Sequence, residues 1–173
     1  MILKKNIHKI ATILPYKESY TFEYASAVSL WVSEFFTNSK FRNNNFIYGN
    51  TKPGKYLTKN YRNISLDSLK FRFKSTSNEY TEKLTDQLNL EKFDIIEVHN
   101  RPLVLSKLLD KIKSKFIMYF HNDPLTMSGS KSVNERKEIL RRVDKLIFIS
   151  EWIKKRFFTN LDHQLTDKTE IIY

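Results

Sequence analysis

No cysteine occurs among the 173 residues, and glycine (3) and proline (4) are nearly as scarce. Without cysteine there is no disulfide framework, no thiolate metal ligand and no cysteine nucleophile, a composition at home in a reducing cytosol. Three glycines leave little for phosphate-cradling loops. No G-x-G-x-x-G follows the first strand-like run and no Walker sequence occurs, which argues against tight NAD or ATP binding by this segment. No D-x-D or H-x-x-x-H spacing offers a carboxylate or histidine metal site, so no metal is expected. Long apolar runs are missing too. None approaches the roughly 18 residues of a membrane span, and residues 1–6 are not followed by the apolar core of a signal peptide. The expectation is a soluble chain.

What is present suits one folded domain: 40% of the residues are hydrophobic and 14% aromatic, and the length supports a full core. The formal net charge of +11 points to an anionic partner such as nucleic acid, a membrane surface or a phosphorylated substrate. Lysine outnumbers arginine 22 to 8, however, whereas base reading and bidentate phosphate recognition favour the planar arginine fork. Richness in Lys, Asn, Ile and Phe is equally what an AT-biased coding sequence imposes.

Along the chain, short β-branched and aromatic runs alternate with helical periods. Residues 8–14 read as a strand stopped by Pro15. Residues 22–37 repeat apolar side chains at Phe22, Ala25, Val28, Val32 and Phe36, an amphipathic helix with Thr21 as its N-cap. Phe46, Ile47 and Tyr48 make a second strand, and residues 62–65 a short third. Lys70, Arg72 and Lys74 alternate with Phe71 and Phe73, read as a strand with one wet face or a loop in preference to a nucleic-acid stripe. Ser77 opens a helix through Leu84 and Leu88. Helices over 103–112, from Ser132 to Val143, and over 152–158 alternate with strands at 95–98, 115–120, 144–149 and 170–173. Residues 125–130 read as a mobile loop of small polar side chains. The predicted fold class is α/β: a Rossmann-like parallel sheet of about seven strands flanked by helices, with right-handed crossovers.

Two strands finish on nearly the same tetrad: His99, Asn100, Arg101, Pro102 and then His121, Asn122, Asp123, Pro124. Parallel strands would bring both tetrads to one edge, with the loop after the first strand (Glu18, Tyr20) and with Ser150 and Glu151. Such an edge suits hydrogen bonding to a polyhydroxylated or phosphorylated ligand. The blander reading makes each His-Asn a turn and Ser150 with Glu151 a helix cap. His99 and His121 are open to either reading, as acid–base groups or as structural histidines.

These segments resemble the N-terminal Rossmann-like domain of retaining GT-B glycosyltransferases, in the family 4-like group that includes lipopolysaccharide and capsule enzymes. The residues that carry it are Ile13, Leu14 and Pro15 leading to 25–29, the run from Asp94 to Pro102, Phe120 to Pro124, and 143–157. The resemblance implies a metal-independent transferase using a nucleotide-sugar donor as co-substrate and no resident cofactor. His121 matches the histidine that hydrogen-bonds the transferred sugar. His99, Arg101 and Asp123 match cleft-facing positions for acceptor or sugar contact, and Glu18, Tyr20, Asn100, Asn122, Ser150 and Glu151, at the strand ends beside them, complete the expected substrate-binding set. The first loop, with Lys17, Glu18, Ser19, Tyr20 and Thr21, departs from the family's glycine-rich form. In the family a second, donor-binding domain follows where this sequence ends at Tyr173, so residues 1–173 are expected to form the acceptor-binding half, inactive alone. The implied partners are a nucleotide sugar, a glycan or lipid acceptor and an anionic membrane at its cytoplasmic face, with no nucleic acid. The alternative is a non-catalytic basic α/β module for nucleic acid or another anionic partner.

Overall fold

The computed structural model describes residues 8–66, 75–161 and 166–173. Seven strands, all parallel, form one sheet in the order β3-β2-β1-β4-β5-β6-β7. They are β1 (Ile10–Ile13), β2 (Asn45–Gly49), β3 (Tyr61–Asn63), β4 (Ile95–His99), β5 (Lys115–Phe120), β6 (Lys145–Phe148) and β7 (Thr169–Ile171). Helices α1 (Ala27–Asn38), α2 (Thr76–Glu91), α3 (Pro102–Leu109), α4 (Val133–Arg142) and α5 (Glu151–Phe157) connect them. The expected α/β architecture is therefore present, with the strand count as expected. The alternating stripe at 70–74 lies outside the described residues.

Alternation along the strands divides the core into two unequal parts. On one face Ala11, Ile13, Ile96, Val98, Phe116, Met118, Phe120, Leu146 and Phe148 pack with Leu84 and Leu88 of α2, Leu105 and Leu108 of α3, Ile139 of α4 and Phe157 of α5. On the other, Val28, Val32 and Phe36 of α1 pack against Leu14, Tyr20, Ile47 and Tyr61. The face under α1 carries more polar side chains, and the histidines lie there.

Three helix starts differ from the sequence reading. α1 begins at Ala27 with Ser26, not Thr21, as its N-cap, the Ser26 hydroxyl accepting from Ser29 N–H at 3.2 Å. Thr21 instead forms an antiparallel bridge with Tyr56, and Phe22 N–H donates to the Lys55 carbonyl at 3.0 Å. That pairing holds the backbone extended where the apolar period predicted a helix. α2 is capped by Ser75, two residues before the expected Ser77. α3 starts at Pro102, whose missing N–H costs nothing in the first turn. The loop expected to be mobile after the second tetrad is instead pinned: Pro124–Thr126 forms a 3₁₀ turn, and the fully buried Ser130 hydroxyl donates to the Pro124 carbonyl at 2.6 Å. Arg136 of α4 is 2% exposed. Its guanidinium donates to the carbonyls of Ser130, Lys131 and Thr159, which ties α4 to this loop and to the end of α5.

Candidate functional site

Because every strand is parallel, the loops after β1, β2, β4, β5 and β6 leave from one edge of the sheet, the place where open α/β sheets accept ligands. Two features occupy it. The first is an open cavity of about 1010 Å³ beyond the ends of β1, β2 and β3, lined by Tyr16, Lys17, Ser19, Tyr24, Asn50, Lys52 and Asn63 among others. Hydroxyl, amide and ammonium groups are numerous in that lining, beside the Glu23 carboxylate and the apolar Pro53 and Leu66, a set that can hydrogen-bond several oxygens of one ligand. Its wall is built by Tyr61 and Asn63, which hold Thr51: the Tyr61 hydroxyl donates to Thr51 Oγ1 at 2.9 Å, and Thr51 N–H donates to Asn63 Oδ1 at 2.8 Å.

The second feature joins the two tetrads. β4 and β5 pair with His99 opposite Tyr119, and His121 follows Tyr119 by two, so all three side chains share the α1 face. His99 Nδ1 lies 2.8 Å from His121 Nε2. The His99 ring stacks on Tyr119, centroids 4.4 Å apart, and Trp31 of α1 sets its edge against His121 at 5.0 Å. Burial drives the His99 pKa well below the usual imidazole value, helped by its neighbour His121; burial alone pushes His121 down to about 4. Both rings are therefore neutral at pH 7. Beneath them Glu97 is also buried, accepting from the Thr12 hydroxyl at 2.7 Å and from the Tyr119 hydroxyl at 3.4 Å. Burial raises its pKa, and those two hydrogen bonds oppose the shift.

Arg101, two residues after His99, holds its guanidinium 5.3 Å over the ring of Tyr16, a cavity residue. No family model matches the chain. Over 98 residues it is 32% identical to YtcC of Bacillus subtilis (strain 168), named as a candidate glycosyltransferase; the match covers 54% of this chain and 23% of that protein. Among solved structures, Anabaena Alr3699/HepE in complex with UDP-glucose superposes with a TM-score of 0.62 at 12% identity, over 96% of this chain and 43% of that one. UDP-N-acetylglucosamine 2-epimerase from Rickettsia bellii gives 0.55 at 14% identity, over 95% and 44%. The fold is glycosyltransferase-like, of the GT-B kind. The chain spans less than half the length of these structures, and the segment that matches YtcC covers about a quarter of that protein.

Within this GT-B-like sheet the remaining sequence-predicted residues take distinct places. Tyr20 is a correction: it is fully buried, stacked on Tyr61 at 4.8 Å, and belongs to the small core. Glu18 sits between two cavity residues, Lys17 and Ser19, without lining the cavity itself. Asn100 is buried in a left-handed conformation (φ 50°), and its Oδ1 accepts from the N–H groups of His121 and Asn122 at 2.8 and 3.3 Å. Asn122 is exposed. Asp123 accepts both Nε and Nη2 of Arg156 on one oxygen, at 3.0 and 2.9 Å, and caps the 3₁₀ turn through Leu125 N–H; hydrogen bonds from Arg156 and Leu125 hold its carboxyl below the usual range against partial burial. Ser150 caps α5 by accepting from Ile153 N–H at 3.3 Å, and Glu151 is exposed in the first turn. Sequence reasoning missed Glu97, Trp31, Asn50 and Asn63. Glu97 had a signal, a lone carboxylate inside the apolar run 95–98; the others had none.

Proposed function

We propose that this chain forms the acceptor-binding half of a retaining, family 4-like glycosyltransferase, one that replaces a nucleoside diphosphate at an anomeric carbon with an acceptor hydroxyl. The observation that carries the reading is the cavity of about 1010 Å³ at the carboxyl ends of β1, β2 and β3, on the same sheet edge as the histidine pair and with Arg101, two residues after His99, set over its Tyr16. Many neutral hydrogen-bonding groups, with Lys17 and Lys52 outnumbering the carboxylate of Glu23, suit a polyhydroxylated acceptor, such as a lipopolysaccharide or capsule precursor. The likeness to YtcC and to a UDP-glucose complex supports a nucleotide-sugar donor. His121 contacts the transferred sugar in this reading, with no metal ion, and Arg101, Asn122, Glu151 and Glu18 lie where an acceptor or sugar passes.

The reading places the protein at the cytoplasmic face of a membrane, where its net charge of +11 favours anionic lipid. No helix among the described residues is long and apolar enough to cross one. The alternative of a nucleic-acid module is weakened by the arginines. Among the described residues Arg62, Arg141, Arg142 and Arg156 are paired with carboxylates and Arg136 is buried, which leaves only Arg42 and Arg101 of the described guanidiniums outside such pairs. An epimerase shares the fold, and the local likeness to YtcC favours transfer over epimerisation.

Titration of the labelled chain with oligosaccharide acceptors, followed by amide and side-chain NMR, tests the assignment. Perturbations centred on Tyr16, Asn50, Thr51 and Asn63 are expected, lost in Asn63→Leu. Turnover of a UDP-sugar at ordinary rates by residues 1–173 alone, or glycan binding confined to another face, overturns it.

A further inference from the structure

We infer that His99 is the positioning residue of His121: it donates Nδ1–H to His121 Nε2 and so holds His121 with its own proton on Nδ1, a neutral donor on the ring nitrogen that is left free of the pair. The inference rests on the reading of His121 as the ligand-facing group, and its argument comes from the pair itself.

Two neutral imidazoles make a 2.8 Å nitrogen–nitrogen contact only when one nitrogen carries a proton and the other does not, so the contact fixes both tautomers at once. Two assignments are available. If His121 donated from Nε2, the remaining proton of His99 would sit on its Nε2, an atom sealed from solvent with no partner. A buried N–H without an acceptor is the rarer and costlier kind of orphan. If His99 donates from Nδ1, its sealed Nε2 is left as a bare lone pair, the milder of the two. The proton of His121 is then on Nδ1, which makes no hydrogen bond among the described residues and is not one of the sealed orphan atoms. A doubly protonated ring in the pair is opposed by burial of both.

The surroundings fix the plane of each ring, and the 2.8 Å contact between the two nitrogens would be lost if either ring turned over. His99 lies flat on Tyr119 at an interplanar angle of 10°, and Trp31 meets His121 edge-on at 81° while also touching His99 at 5.9 Å. The backbone of His121 is fixed by the Asn100 side chain. The ionisable groups nearest the pair on this face are Glu97 and Tyr119, hydrogen-bonded to each other, with Glu97 also accepting from Thr12; by strand register Lys115, Lys145 and Glu170 lie on the same face, and the charge of Glu170 acts on Tyr119. A neutral N–H donor at His121 selects an acceptor atom on the ligand, a hydroxyl or phosphate oxygen, and is unsuited to removing a proton from an acceptor hydroxyl. The pair thus makes His121 a recognition group and excludes it as the general base of the reaction.

Long-range proton–nitrogen correlation spectra of the histidine-labelled chain read each tautomer directly. Both His99 and His121 are expected as Nδ1–H forms, unchanged between pH 5.5 and 8. His99→Asn places an amide N–H where Nδ1 stood and is expected to keep the His121 tautomer. His99→Phe keeps a ring on Tyr119 but has no donor, and the His121 nitrogen shifts should move to intermediate, averaged values. A proton on His121 Nε2 in the unaltered chain overturns the inference, as does an identical His121 tautomer in folded Asn and Phe variants. The unaltered chain alone decides the first point if a variant does not fold. Since no ligand is added, these outcomes are independent of whether glycans bind, which the acceptor titration reads separately.

Discussion

The two tetrads share His, Asn and Pro in the same order and end neighbouring strands, yet the structure uses their middle residues in opposite ways. Asn100 is buried, left-handed and bonded to two backbone N–H groups of the other tetrad, whereas Asn122 is exposed. Arg101 reaches out over Tyr16 toward the cavity; Asp123 turns inward onto Arg156 and the 3₁₀ turn. Pro102 opens a full helix and Pro124 only one tight turn. The first tetrad therefore supports the second, and the second presents His121. Similar residue strings diverge because each side chain answers to its neighbours across the sheet rather than to its neighbours in sequence.

The most severe way to break the arrangement is at Gly129, where the loop after the second tetrad rests on the helix begun by the first. Gly129 has φ +93°, and an added Cβ would lie 2.5 Å from Leu103 N. Gly129→Ala combines backbone strain with a clash against main chain and is expected to cost about 4 kcal/mol by urea unfolding. A loss below about 1 kcal/mol would show that the two tetrads are not packed together in this way.

Acidification tests the histidine pair next. His121 titrates at an ordinary 6.5 when unfolded and at about 4 when folded, and His99 is shifted the same way. The unfolded chain therefore takes up protons first as pH falls. The stability linked to these rings is complete above pH 6.5 and is lost as pH drops toward 4, by about 3 kcal/mol for His121. Glu97, whose pKa is raised, acts in the opposite sense: its contribution is complete below its unfolded value and declines as pH rises. Unfolding measured from pH 7 to 4 should show a slope that His121→Gln flattens; equal slopes would remove the buried neutral pair from the account.

The comparison is sharpened by the two asparagines. Asn100→Ala forfeits two backbone donors' acceptor and a left-handed position, an expected loss of about 2 kcal/mol. Asn122→Ala should change stability by less than about 0.5 kcal/mol. Equal effects in chemical denaturation would mean that the tetrads are interchangeable after all.

Much of the fold was legible because it rests on local periodicity. The runs around Ile10, Phe46, Ile96, Met118 and Leu146 announced buried strands, and Ser132 and Ser150 announced caps. The start of α1 was not legible, because residues 20–22 are held extended by hydrogen bonds to 55–57, a partner that no local window contains. Tyr20 failed for the same reason, being drawn into the core by Tyr61. Of the site, the histidines and Arg101 could be named from strand ends alone. Trp31 could not, since only the packing of α1 on the sheet brings it to His121.

By itself the sequence determined alternating strands and helices, and hence a parallel sheet with His99 and His121 at one edge, because periodicity and strand-ending polar residues are properties of short segments. Only the tertiary structure decided that the two rings meet. That required β4 and β5 to be neighbours in the register that sets His99 opposite Tyr119, with α1 closing over them. Side-chain alternation then fixed the face, and a proton shared across 2.8 Å became possible between residues that no segment of sequence places together.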